Sequence, residues 1–96
     1  MATKVALLHM HIHLPGSTSL KAKRGRLAPL LARLRREFNV SVAEVDYLDK
    51  WTDALICCAL VNTDSRHAQS SLQRVADWVE KSWPDVELSG EQMEVL

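Results

Sequence analysis

The chain has 96 residues, of which 47% are apolar and 25% are charged, and its formal net charge at neutral pH is zero. This length predicts one domain over residues 1–96, with a single core between two packed layers. No apolar run is long enough to cross a bilayer, and the N-terminal residues lack the long apolar stretch of a secretory signal. The adjacent Cys57 and Cys58 are poorly placed to bridge each other. We therefore expect a cytoplasmic protein without a membrane segment.

The first predicted element is a strand from Lys4 to Leu14, because apolar side chains recur there at every second position. The face that we expect in the core carries Leu8, Met10, Ile12 and Leu14. The opposite face carries Val5, Leu7, His9, His11 and His13. Pro15 and Gly16 end the strand.

A helix is predicted from Leu20 to about Phe38, with Ser19 as its N-cap. Residues at helical spacing form an apolar stripe that we expect to pack on the sheet. This stripe consists of Leu20, Leu27, Leu31, Leu34 and Phe38. A second strand is predicted from Val40 to about Tyr47.

After a polar loop, a third strand is predicted over Asp53–Asn62. Polar capping residues then precede a second helix, which ends at Pro84. Its apolar stripe consists of Ala68, Leu72, Val75, Val79 and Trp83. A last strand is predicted over Val86–Val95, with a bulge or tight turn near Gly90 because the alternation changes phase there.

The predicted order of elements is strand–helix–strand–strand–helix–strand, which is the split βαβ plan of a ferredoxin-like α+β domain. This fold has a four-stranded antiparallel sheet with two helices on one face, and it leaves the other face open. The first strand is then central in the sheet. The fold does not determine the function, because the same plan is found in enzymes, regulators and RNA-binding proteins.

Three short segments carry a family resemblance: Ser19–Arg24, Phe38–Val45 and Asp49–Trp51. Together, and in this order, they resemble the YlxP-like family of small bacterial proteins, and the resemblance covers nearly the whole chain. It implies a ferredoxin-like fold. The genes of this family tend to lie near those for translation initiation factor 2 and ribosome-binding factor A, which implies a link to ribosome maturation or RNA. The resemblance implies no catalytic residues.

Charge is segregated along the chain. Residues 1–36 contain eight Lys or Arg and no Asp or Glu, whereas residues 37–96 contain four basic and twelve acidic residues. The two segments thus carry formal charges of +8 and −8 (4 − 12). Seven cations lie in the predicted first helix: Lys21, Lys23, Arg24, Arg26, Arg33, Arg35 and Arg36. We expect them to bind RNA phosphates. In the alternative interpretation, they are solvated and pair with the acidic half of the chain.

On a helical wheel these cations border the apolar stripe on both sides instead of forming one patch. One flank holds Lys21, Arg24 and Arg35. The other flank holds Lys23, Arg26 and Arg33, and Arg36 lies nearly opposite the stripe. We expect a nucleic-acid backbone to be gripped by one of these flanks.

The entrance to the first helix is a second candidate phosphate contact. Ser17, Thr18 and Ser19 provide hydroxyl groups next to the unpaired amides of a helix N-terminus. A nucleotide-binding P-loop sequence is absent. In the alternative interpretation, the serine is needed only to start the helix.

The open face of the sheet is a candidate interface, because an uncovered and partly apolar face usually meets a partner. Its predicted contact residues are Leu7, His9, His11, His13, Leu55 and Val61. We expect a homodimer packed through this face. A metal site on the histidine row, with Cys57 opposite, is disfavoured because three ligands on a straight strand cannot reach one ion. We assign no metal, no cofactor and no catalytic residue.

Two further predictions concern aromatic and acidic side chains. Trp51, in the loop after the second strand, is expected to be exposed, whereas Trp78 and Trp83 are expected to pack as core plugs or lids. The carboxylates of Glu44, Asp46, Asp49 and Asp53 are expected to be solvated charges at the edge of the sheet.

Three classes of function remain open from the sequence. The first is a non-catalytic, RNA- or ribosome-associated protein whose partners are ribosomal RNA or ribosome-assembly proteins. The second is a protein-binding or dimerising module that uses the open sheet face. The third is a small-ligand or metal-binding domain. We take the first as the leading hypothesis, because the basic helix and the family resemblance both favour it.

Overall fold

The computed structural model describes residues 2–96 and shows the predicted order of elements. The elements are β1 (Lys4–His13), α1 (Leu20–Glu37), β2 (Ser41–Asp46), β3 (Asp53–Asn62), α2 (Ser65–Ser82) and β4 (Glu87–Val95). The α+β, ferredoxin-like fold class is confirmed, and the bounds of β3 are those that the sequence predicted.

The four strands form one antiparallel sheet in the order β2-β3-β1-β4. β1 is therefore central, as predicted, and β2 and β4 are the edges. The register between β1 and β4 shifts between His11 and Ile12, whose partners are Gly90 and Leu88. Ser89 is thus the extra residue of a bulge, which confirms the irregularity predicted near Gly90.

The core lies between one face of the sheet and the two helices. The side chains predicted for this face, Leu8, Met10 and Ile12 of β1 and Leu14 directly after it, are at most 1% exposed. From α2, Ala68, Leu72, Val75, Ala76 and Val79 are buried against them. Trp78 and Trp83 pack at the margin of this core, as predicted. Both predicted apolar faces are therefore in contact, which is the main stabilising interaction of the domain.

The buried stripe of α1 differs from the prediction. It consists of Lys23, Leu27, Leu30 and Leu34, whereas Leu20 and Leu31 are only half-buried. The spacing of four, three and four residues is that of one helix face, so the helix is rotated slightly from the predicted orientation. One consequence is that a lysine occupies a core position.

Side chains cap both helices. Ser19 Oγ accepts a hydrogen bond of 2.9 Å from Ala22 N at the start of α1, as predicted. Asp64 Oδ1 accepts hydrogen bonds from Arg66 N and His67 N at the start of α2. These bonds satisfy amides that have no partner within the helix. Within residues 2–96, no helix has the length and apolar character needed to span a membrane.

Candidate nucleic-acid interface

The solvent side of α1 carries cations, and its one exposed carboxylate, Glu37 at the last position of the helix, pairs with Arg33. Apart from Glu37, the exposed residues of α1 fall in a sector of roughly 140° on a helical wheel. They are Lys21, Arg24, Gly25, Ala28, Pro29, Ala32, Arg35 and Arg36. We call the four charged members, Lys21, Arg24, Arg35 and Arg36, the cationic face. None of them takes part in the ion pairs formed within residues 2–96.

Lys23 does not belong to this face, and its prediction as a phosphate contact is wrong. Its side chain is 2% exposed, and Nζ donates hydrogen bonds to the carbonyl oxygens of Tyr47 and Lys50 at 2.7 and 2.8 Å. Nζ also lies 2.7 Å from Glu44 Oε2, as an ion pair without hydrogen-bond geometry. Burial of a lysine is tolerated here because three oxygen atoms replace its water. The prediction that Glu44 is solvated is wrong for the same reason.

The remaining cations of the Lys23 flank are also engaged within the chain. Arg26 donates from Nε to Asp85 Oδ2 at 3.0 Å, and from its two Nη atoms to the carbonyl oxygens of Pro15 and Asp85. Arg33 pairs with Glu37 at 3.1 Å, and its guanidinium lies 5.6 Å from the centroid of the Trp78 ring. These contacts correct the prediction of Arg26 and Arg33 as phosphate ligands, because each guanidinium already has a carboxylate partner in the chain. Arg33 Nε is buried without a hydrogen-bond partner, so it is not open to a phosphate either.

The opposite flank keeps its charge available. Arg35 donates one Nη2 bond of 2.9 Å to the carbonyl of Val42, but that acceptor is neutral and the side chain remains exposed. Lys21, Arg24 and Arg36 are exposed as well. The acidic half of the chain therefore neutralises one flank of the helix and leaves the other uncompensated.

At the entrance to α1, only Thr18 remains as an exposed hydroxyl. Ser17 is 6% exposed, and its Oγ is buried without a hydrogen-bond partner. The Ser19 hydroxyl serves as the helix cap. The prediction of Ser17 and Ser19 as phosphate ligands is therefore wrong. The turn at Gly16 (φ +76°) directs the Ser17 side chain inward, and the Ser19 hydroxyl already accepts a hydrogen bond from the helix backbone.

The loop between β2 and β3, residues 47–52, is fastened to the start of α1. Lys23 binds two of its carbonyls, and Leu14 N donates a bond of 2.7 Å to Thr52 O. Within the loop, Lys50 N donates to Tyr47 O, and Tyr47 itself has a φ of 60°. A non-glycine residue with positive φ is held in place only by surrounding contacts, and these bonds supply them.

An aromatic and charged column fastens the same loop from the open face of the sheet. The His11 ring lies 5.1 Å from the Tyr47 ring, and Lys50 Nζ lies 5.3 Å from the centroid of that ring. Trp51, beside Lys50, is 54% exposed, which confirms the prediction for this tryptophan. The roles of Tyr47 and Lys50 were missed, because no periodicity in the sequence indicates which loop backbone the helix will bind.

Asp53, the first residue of β3, binds the side chains next to this loop. The hydroxyl of Thr52 donates to Oδ2 at 2.8 Å, and ring nitrogens of His11 and His13 lie 2.9 and 3.4 Å from Oδ1. The Thr52 bond, followed by the His11 bond, lowers the pKa of Asp53 from 3.8 to about 2. Asp53 is therefore a structural carboxylate, which corrects the prediction that it is a solvated edge charge.

The open sheet face is uneven. Leu7, His9 and Leu55 are half-buried on it, and Val61 is 70% exposed. His11 and His13 are held by Asp53, so they are not available as a row of open rings. Within residues 2–96, no group of three or more His, Cys, Asp or Glu side chains is arranged to hold a metal ion.

The two cysteines lie on opposite faces of β3. Cys57 is on the open face beside His9, and Cys58 packs in the core. Burial raises the pKa of both thiols, that of Cys58 to about 12. A raised pKa keeps a thiol protonated at neutral pH, so neither side chain is activated as a nucleophile.

The fold and this surface define a small ferredoxin-like α+β domain with a cationic helix. A family model described as "Protein of unknown function (DUF503)" matches residues 5–93, and the chain belongs to this family. The chain is also 36% identical over 69 residues to "Uncharacterized protein YlxP" of Bacillus subtilis (strain 168), which covers 72% of this chain and 74% of that protein. The resemblance to the YlxP-like family is thereby confirmed.

A comparison with solved structures supports the fold independently. The designed protein "De novo designed protein Foldit4" matches with a TM-score of 0.54, over 98% of this chain and 96% of that chain. The two sequences are 13% identical, so this likeness concerns the fold alone.

Proposed function

We propose that this protein is a non-catalytic, cytoplasmic RNA-binding protein that associates with ribosomal RNA through the cationic face of α1. The observation that carries the proposal is that Lys21, Arg24, Arg35 and Arg36 have no carboxylate partner among residues 2–96. Uncompensated cations on one side of a neutral protein produce a local positive field, which attracts a polyanion.

The shape of α1 favours a phosphate backbone as the ligand. The cations stand near both ends of the helix, and the fifteen steps from Lys21 to Arg36 correspond to an axial span of about 22 Å. Between them the exposed positions are Gly25, Ala28, Pro29 and Ala32. These small side chains leave a low surface, so a rod-like polyanion can approach the helix while arginine forks hold phosphates on either side.

The choice of ribosomal RNA depends on the family. The gene neighbourhood implied for YlxP-like proteins includes two factors of translation and ribosome maturation. The absence of a disulfide between Cys57 and Cys58 is compatible with the reducing compartment in which ribosomes are assembled.

The test is fluorescence anisotropy with a labelled fragment of ribosomal RNA over a series of salt concentrations. Four phosphate contacts predict a slope of log K against log [salt] of about −3. The double variant Lys21→Glu/Arg24→Glu is expected to weaken binding at least about ten-fold. The matched control is Arg66→Glu/Arg74→Glu, which makes the same charge change on α2. Equal affinities for the two double variants, or a flat salt dependence, would contradict the proposal.

A second candidate is self-association through the open sheet face. It is favoured by the exposure of Val61 and the partial exposure of Leu7 and Leu55 on a face that neither helix covers. A homodimer would bury these side chains. In light scattering, Leu7→Glu is expected to give monomers, whereas Leu48→Glu, in the loop, is expected to keep the dimer. A wild-type mass of one chain at high concentration would rule out this candidate.

A further inference from the structure

One large aromatic side chain of this protein is held in solvent by a rigid support. Trp51 is 54% exposed, whereas Trp78 and Trp83 pack against the core. Leaving an indole in water forgoes the stabilisation that its burial provides, about 25 cal/mol for each Å² of apolar surface. Trp51 is not among the side chains packed against the core, so packing within the described residues does not explain a tryptophan at this position. Contact with a partner outside the domain would explain it.

The support of Trp51 is fixed on both sides. The carbonyl of Lys50, immediately before it, accepts a hydrogen bond from the buried Lys23, and the carbonyl of Thr52, immediately after it, accepts one from Leu14 N. The Tyr47 ring, at the start of the loop, lies against His11 of the sheet. A side chain on such a loop loses little conformational freedom when it binds a ligand, which increases affinity.

The Lys23 bond ties the loop that carries Trp51 to the first turn of α1, where the cationic face begins. The Lys50 carbonyl is within reach of one lysine side chain from the helix, whose neighbouring positions, Lys21 and Arg24, face the solvent. Lys50 adds a further exposed cation, directed over the Tyr47 ring. An exposed aromatic ring next to cations is the combination found where unpaired bases stack and their phosphates are neutralised.

We propose that Trp51 is a stacking platform for an unpaired base of single-stranded RNA, and that Lys21, Arg24 and Lys50 hold the adjoining phosphates. This inference rests on the proposed RNA-binding function and specifies its substrate class. Bases inside a duplex are stacked on their neighbours and offer no face to an indole, so an unpaired loop, bulge or end is required. Asp49 and Asp53 each lie two residues from Trp51, and Asp53 is held by Thr52 and His11. Asp49 is exposed, and it fits a contact with a neutral base better than one with a phosphate.

The experiment compares a uridine-rich single strand of about 12 nucleotides with a duplex of the same length. We expect Trp51→Ala to weaken binding of the single strand about ten-fold and to change binding of the duplex less than about two-fold. Leu48→Ala is the matched control, since Leu48 is an equally exposed apolar residue of the same loop (57%). It is expected to leave both affinities unchanged. Single-stranded RNA should also quench tryptophan fluorescence in the wild type and not in Trp51→Phe.

The outcomes separate this inference from the function on which it rests. If Trp51→Ala leaves single-strand affinity unchanged while Lys21→Glu/Arg24→Glu abolishes it, the stacking platform is wrong and the cationic face stands. If Trp51→Ala weakens single strand and duplex equally, the tryptophan only supports the loop, which also overturns the inference. If the wild type binds neither RNA, the proposed function and this inference both fail.

Discussion

The two helices share one face of the sheet and have the same length of 18 residues, but they use their surfaces differently. α2 buries only apolar side chains and exposes charges of both signs, among them Arg74, Asp77 and Glu80. α1 buries Lys23 with its leucines and exposes four cations that take no part in ion pairs within residues 2–96, while its single carboxylate, Glu37, pairs with Arg33. Packing alone therefore explains α2, whereas the exposed cations of α1 have no carboxylate partner in the described part of the chain, residues 2–96.

The buried Lys23 links the cationic face of α1 to the loop that carries Trp51. Because Lys23 binds the carbonyls of Tyr47 and Lys50, the helix that carries the cations also fixes the loop that carries Trp51. No residue of α2 binds this loop. Four changes, in order of decreasing effect, test the contrast between the helices.

The largest effects, of comparable size, are expected from one substitution in each helix, and in α1 this is Lys23→Met. The substitution leaves the Glu44 carboxylate, which is 20% exposed, and two carbonyls without their cation, so the free energy of unfolding should fall by about 3 kcal/mol. Urea denaturation measures this. The control is the double variant Lys23→Met/Glu44→Leu, which removes both charges and should regain most of the loss. A loss below about 1 kcal/mol in the single variant would show that the ion pair has no net structural role.

The corresponding change in α2 is Leu72→Ala. It removes buried methyl groups from a side chain that is 0% exposed, and we expect a loss of about 2–5 kcal/mol in the same measurement. The two variants should differ in hydrogen exchange. Amides of residues 47–52 should exchange faster than in the wild type only in Lys23→Met. Equal acceleration in both variants would mean that the loop depends on the core as a whole.

A smaller effect is expected from Asp53→Asn, which tests the anchor of the loop on the sheet side. The folded-state pKa of Asp53, about 2, is below that of an unfolded aspartate, about 3.9, so its stabilisation is fully present above pH 4 and is lost as the pH falls toward 2. The variant should be less stable by about 1 kcal/mol at pH 5, since a quarter-exposed carboxylate is partly screened. This difference should shrink at pH 3. A constant difference would assign the effect to packing.

The smallest effect on stability is expected from single charge reversals at the N-termini of the two helices. Lys21 and Arg66 each stand two residues after the N-cap of their helix, where a positive charge opposes the helix dipole. Lys21→Glu and Arg66→Glu should therefore each raise the stability by about 0.3–1 kcal/mol. Only Lys21→Glu should weaken RNA binding. Loss of binding in both variants would indicate a response to net charge instead of a located surface.

The sequence by itself determined the four-stranded sheet and the layer of two helices that packs on it. Alternation in β1 placed Leu8, Met10 and Ile12 in the core, and the change of phase near Gly90 indicated the bulge, because these patterns record which face each residue presents. It also determined that the basic residues are concentrated on α1, since charge segregation is a property of the order of residues along the chain.

Only the tertiary structure decided which of those cations remain available. The carboxylates of Glu44 and Asp85, which pair with Lys23 and Arg26, come from distant parts of the chain. The observed orientation of α1 also differs from the predicted one by a fraction of a turn, which places Lys23 in the core and not on the flank of the helix. The anchoring of Trp51 through backbone carbonyls was likewise undetectable, because every residue has a carbonyl and only the packed chain selects the one that a lysine reaches. Charge and period are local in the sequence, whereas neutralisation and anchoring depend on contacts between distant segments.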